Sequence, residues 1–155
     1  RPLTIVYAAE GSGIRTEFAK QESLNGFMQQ GHEKELVERF GNKAKAAIDE
    51  SHQNLSGWHK GDFEQSKGEF IAICKELTEL LQNSSEASSD SVQGIIARHY
   101  QWLKQFWAPD RETYAGLGEL YKEDSFRKNN FDPHHPKLAE FLAEAMQIFS
   151  KKNSL

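Results

Sequence analysis

Cysteine is nearly absent: the 155 residues contain one, Cys74. That excludes an internal disulfide and any multi-cysteine zinc site. It also agrees with a cytoplasmic protein, the expected location. Long apolar runs are missing as well. None approaches the roughly 18 residues that a membrane-spanning helix needs, so no membrane partner is expected. Positive charge is not in excess either. Lys and Arg number 19 against 23 Asp and Glu, for a net charge of −4. Without a basic surface the chain has no electrostatic footprint for phosphate backbones, and direct contact with nucleic acid is not expected. Among motifs there is no P-loop, no dinucleotide glycine fingerprint and no His-Glu-x-x-His zinc signature. No nucleophile and base stand in a convincing pair. The expectation is therefore a protein that is not an enzyme and carries no cofactor.

What is present reads as helix. Hydrophobic residues make up 37% and charged residues 27%, which suits one soluble helical domain with a single core. The opening stretch "RPLTIVYAAEGSGIRTEF" lacks an initial methionine and the small-residue cleavage pattern of a signal peptide. Residues 1–17 are expected to be a foreign N-terminal extension, and 18–155 the domain. From Gln21 the period is helical. Leu36, Val37 and Phe40 share a face that stops at Gly41-Asn42. Ala44, Ala47 and Ile48 form a second short amphipathic face. Phe63, Phe70, Cys74, Leu77 and Leu81 recur at helical spacing and predict a helix from about Asp62 to Gln82. The polar run "NSSEASSDS" reads as a solvated loop.

After that loop, Asp90 and Gln93 are placed to form a capping box. The helix they open carries Val92, Ile96, His99, Leu103 and Phe106 along one side, and Pro109 ends it at or before Ala108. Asp110 is placed to cap the next helix, with Tyr114, Leu117, Leu120 and Tyr121. "EDSFRKNNFDPHHP" reads as a connector with room for one turn of helix, and Pro136 as the first residue of a last helix bearing Leu138, Phe141, Leu142, Ala145 and Phe149. Outside the opening stretch there is no strand period and no internal repeat. The fold class is all-α.

Few residues suggest chemistry. Asp132, His134 and His135 offer a metal-ligand set, but adjacent histidines in a proline-flanked loop ordinarily point apart into solvent. Asp49, Glu50 and His52 read as a solvated helix face. Cys74 sits on the apolar stripe of its helix, where a thiol is inert. His99, between Ile96 and Leu103, reads as a hydrogen-bonded core or cleft-edge histidine.

The aromatic residues are another matter. "HYQWLKQFWAPDRETYAGLGELY", residues 99–121, holds two of three tryptophans and three of four tyrosines. On a continuous helix Trp102 and Trp107 point about 140° apart. A domain of this size is expected to bury one of the two, leaving the other to line a groove or face water. Such rings line sites for flat apolar ligands, and they equally serve as half-buried packing.

"LVERFGN", "HYQWLKQFW", "YAGLGELYKED" and "HPKLAEFLAEAM" occur in an order and spacing that resemble the TipAS-type antibiotic-recognition domain. That domain is the C-terminal effector half of certain MerR-family transcription regulators. The resemblance runs from about Lys20 to Phe149. It implies a globin-like helical bundle without haem, with a deep hydrophobic cleft. It also implies binding of bulky apolar antibiotics such as thiopeptides, by a regulator's effector domain or by a free drug-sequestering protein. The cleft wall is expected at Trp102, Phe106, Trp107 and Tyr114, with His99, Tyr121, Phe40 and Trp58 as further ligand contacts. Family regulators dimerise through an N-terminal helix, so a full-length regulator is expected to be a homodimer. Covalent binders of the family carry a cysteine just after the aromatic run; that place falls near Pro109 here, so that route to covalent capture has no thiol. The alternative is a protein-interaction module whose aromatic groove holds a partner helix.

Overall fold

The computed structural model describes residues 37–153. The expected extension 1–17, the start of the domain at residue 18, and Leu36 lie outside the described residues. After a helical stretch at 37–40, the helices of the described residues are α1 (Asn42–Asn54), α2 (Lys60–Gln82), α3 (Asp90–Leu103), α4 (Arg111–Tyr121), α5 (Asp124–Asn130) and α6 (Leu138–Lys152). Among the described residues there is no strand, as the all-α reading expected. The chain divides into two compact units. Of the described residues, the first holds 37–66 together with Gln105–Trp107, and the second holds Lys67–Lys104 and 108–153.

Local chemistry explains the helix ends. Residues 37–40 are helical and stop at Gly41, whose φ of +66° suits glycine and whose N–H donates to the Val37 carbonyl at 2.7 Å. At the end of α2 a serine takes the left-handed position: Ser84 has φ +65°. Its N–H donates to Leu81 O, and the Ser85 N–H reaches back to Leu80 O at 2.9 Å. This is a Schellman closure.

Three expected boundaries shift. The cap of α3 is Ser89, whose hydroxyl accepts from the Val92 N–H at 3.3 Å. Asp90 is the first helical residue, and Gln93 spends its side-chain amide on the Ala87 and Ala145 carbonyls. The "EDSFRKNN" connector holds the two-turn helix α5. Pro136 lies two residues before α6, which starts at Leu138 behind Lys137. Asp110 caps α4 as expected, with its carboxylate accepting from the Thr113 N–H at 2.9 Å.

The largest departure is the end of α3. The helix stops at Leu103, and residues 104–106 form a turn. Side chains reach over to hold the following segment: Asn54 Nδ2 donates to the Phe106 carbonyl at 2.7 Å, and Ser66 Oγ to Gln105 Oε1 at 3.1 Å. Phe106 and Trp107 therefore do not continue the face of α3. The angle of about 140° assumed a helix that is not there.

In the second unit α6 is the central element, with both α3 and α4 packed against it. Leu138, Ala139, Leu142, Ala145 and Met146 of α6 are fully buried with Ile96 and Leu103 of α3 and Tyr114 of α4. Gly118 permits the closest approach: a Cβ there would stand 3.1 Å from the Ala143 Cα. In the first unit Ile48, Leu55 and Phe63 are buried, and the buried Ser51 hydroxyl is satisfied by the Ala47 carbonyl.

Candidate functional site

The ring residues expected at the cleft fall into two sets. The first belongs to the second unit and is centred on His99, which α3 buries completely. Its Nδ1 lies 2.7 Å from the Tyr114 hydroxyl and its Nε2 3.3 Å from that of Tyr121. Tyr114 Oη also lies 3.5 Å from the Ile96 carbonyl. A neutral imidazole has one donor and one acceptor. If Tyr114 donates to Ile96, Nδ1–H donates to Tyr114 and Nε2 accepts from Tyr121, so every polar atom of the triad is matched. Burial drives the imidazole pKa down to about 3 and raises both tyrosine hydroxyls. The triad is neutral through the physiological range.

Rings close around it. Phe70 lies 4.9 Å from Trp102 and 5.8 Å from Phe131, and Tyr121 lies 4.9 Å from Phe131. Trp102 is 7% exposed, and Tyr114 is 0%. In this structure these four expected contacts, His99, Trp102, Tyr114 and Tyr121, are core. Phe131 is a central member that its sequence context hid, since it stands alone among Asn, Asp and Pro.

The second set belongs to the first unit. Trp58 is half-buried, with its ring 5.2 Å from Phe63 and 5.8 Å from Phe106. The Asn54 hydrogen bond fixes the backbone that carries Phe106. Trp107, next in sequence, is 6% exposed. Both Trp102 and Trp107 are thus buried, against the expectation that one would face a groove or water. Two separate packing environments take them, instead of two faces of one helix. Among the described residues, however, the buried Nε1–H of the Trp107 indole has no hydrogen-bond partner. Phe40 is 49% exposed, with the Arg39 guanidinium 5.2 Å from its ring centre.

The remaining candidates sort plainly. Asp132 pairs with Arg127 at 3.1 Å, and His135 Nδ1 accepts from the Lys137 N–H. Among the described residues no three His, Cys, Asp or Glu side chains gather as a metal would need. Cys74 is fully buried, and burial pushes its thiol up to about 12. A cavity of about 250 Å³ is lined by Lys122, Arg127, Asp132, Pro136, Ala139 and Glu140. No expected ligand contact lines it.

Residues 32–149 match the family model of the TipAS antibiotic-recognition domain. The chain belongs to the TipAS family. A relative is the HTH-type transcriptional regulator SkgA of Caulobacter vibrioides, 31% identical over 132 residues, which cover 84% of this chain and 52% of SkgA. Another is the HTH-type transcriptional activator TipA of Streptomyces coelicolor, 26% identical over 147 residues, or 89% of this chain and 54% of TipA. The TipAS-family chain thus spans about half the length of these relatives. Among solved structures it shares the fold of TipAS from Streptomyces lividans in complex with nosiheptide, a thiopeptide antibiotic. The TM-score is 0.68 at 23% identity, over 78% of this chain and 84% of that one. No described helix is long and apolar enough to cross a membrane.

Proposed function

We propose that this TipAS-family chain binds a bulky apolar antibiotic of the thiopeptide class through the rings Trp58, Phe106 and Trp107. The His99 triad and its neighbours belong to the core of the second unit and take no part in this site. One observation carries the reading: the two ring sets differ in how completely they are satisfied. The His99 triad has a partner for every polar atom and is buried. The Trp58 set keeps a half-buried indole and a buried indole N–H with no acceptor among the described residues. An aromatic surface with unspent capacity is what a flat apolar ligand requires. Family membership supplies the ligand class, and the nosiheptide bound to TipAS supports it.

The chemistry is recognition without covalent change. Cys74 is fully buried with a raised pKa, and the resemblance puts the cysteine position of covalent binders near Pro109, where this chain has no thiol. Affinity then comes from apolar burial, about 25 cal/mol per Å². In a regulator twice this length, DNA binding and homodimer contact fall in this proposal to the remainder of the protein, and the bound antibiotic is the signal. A free drug-sequestering protein uses the same site.

Calorimetric titration with nosiheptide tests the proposal. Saturable 1:1 binding is expected, with an intrinsic fluorescence change that shrinks in Trp58→Phe. Absence of binding to nosiheptide and to other large apolar antibiotics removes the proposal and favours the rings as an anchor for a partner helix.

A further inference from the structure

We infer that the Trp107 indole N–H is a specificity-determining hydrogen-bond donor, so that the ligand must present an in-plane acceptor, an azole nitrogen or an amide carbonyl, at that point. This rests on the antibiotic-binding proposal above and adds to it the polar group the ligand has to carry.

Trp107 is 6% exposed, and its Nε1 has no acceptor among the described residues. An indole nitrogen is a donor only, so it has no second way to be satisfied. Buried donors in native proteins are almost always paired, and an unpaired one is costly. The segment that carries it is under tertiary control. Residues 105–107 have left the helix, and hydrogen bonds from Asn54 and Ser66 hold Phe106 and Gln105 in place. The described residues therefore leave this donor without a partner, in the same unit as the Trp58, Phe63 and Phe106 rings. The other buried polar rings behave differently: His99, Tyr114 and Tyr121 satisfy one another. A site that holds a donor in a dry place rejects ligands unable to accept from it far more strongly than an apolar wall can. Thiopeptides carry azole nitrogens and amide carbonyls in a flat framework, so they meet the requirement, whereas a hydrocarbon of the same shape does not.

The decisive substitution removes the donor and keeps the shape: β-(3-benzothienyl)alanine at position 107, installed in the full chain, with sulfur in place of N–H. Nosiheptide is the probe, by calorimetry, alongside thermal melting without ligand. The expected result is a roughly tenfold or greater loss of affinity, with an unchanged or higher melting temperature in the free protein, because an unsatisfied donor has been deleted. In the wild-type ¹⁵N spectrum the Trp107 indole proton moves downfield at saturation. Equal affinity in the sulfur variant overturns the inference and leaves antibiotic binding intact. A lower melting temperature in the free variant also overturns it, since the N–H is then satisfied within the protein. No nosiheptide binding by wild type overturns both.

Discussion

Acidification should loosen the second unit through one residue. His99 is fully buried, and its nearest polar neighbours are the Tyr114 and Tyr121 hydroxyls, both uncharged. The imidazole pKa falls from its ordinary 6.5 to about 3 in the fold. Between these values the unfolded chain holds a proton that the folded chain refuses. Stability from this group is therefore complete above pH 6.5 and is lost as pH falls toward 3, at about 1.4 kcal/mol per unit. From pH 7 to pH 5, before most carboxylates titrate, the loss is about 2 kcal/mol. For a chain of this length that is a fall of about 4–8 °C in melting temperature. The assay is thermal melting by circular dichroism at half-unit steps between pH 7.5 and 5, for wild type and His99→Gln. Glutamine keeps a donor and an acceptor without a titration, so its curve should be lower at pH 7 and flatter toward pH 5. An NMR titration of the His99 ring should show no protonation of the folded form above pH 4. Parallel slopes in the two proteins, or a His99 ring that titrates near 6.5, would refute the reasoning.

Other outcomes follow from single contacts. Gly118→Ala should destabilise by about 1–3 kcal/mol, since its Cβ would meet the Ala143 backbone at 3.1 Å. Gly116→Ala, on the same helix with nothing within 4 Å of the added carbon, should stabilise by up to about 1 kcal/mol; urea melts of the two give opposite signs. Ser84→Gly should stabilise by about 1 kcal/mol in the same assay, because Ser84 holds φ +65°. Cys74 should resist iodoacetamide in the native state, react on denaturation, and show no adduct in the intact mass after exposure to a thiopeptide.

Much of the helical layout was legible in the sequence because amphipathic stripes report burial directly. Phe63, Cys74 and Leu77 on α2, and Leu138, Phe141, Leu142 and Ala145 on α6, are all buried. Caps were legible where a single Asp precedes the helix, as at Asp110. They were off by one where Ser89 and Asp90 compete for the same place. The end of α3 was not legible. Pro109 advertises a stop, yet the helix ends earlier, at Leu103, and the segment after it is held by Asn54, about fifty positions away, through the Phe106 carbonyl. A side chain that remote leaves no periodic signal. The same break removes the argument from the angle between Trp102 and Trp107, which was read from a helix that ends between them. Which rings gather together was recoverable in part. A hydrogen-bonded His99 was expected, but its partners Tyr114 and Tyr121 were named only as separate ligand contacts, and Phe131 was invisible without the packing.

The division between core and ligand surface is tested most directly by one comparison: thiopeptide affinity of wild type, Trp58→Ala and Phe141→Ala by calorimetry, with melting temperatures taken on the same samples. Loss of the Trp58 indole should cost roughly 1–3 kcal/mol of binding, a 5- to 150-fold weaker affinity, with little change in melting temperature because that ring is only half-buried. Phe141→Ala, at 8% exposure in α6, should lower stability by about 3–5 kcal/mol and leave the affinity of the folded fraction near wild type. Wild-type affinity in Trp58→Ala, or no binding by wild type at all, would contradict the assignment.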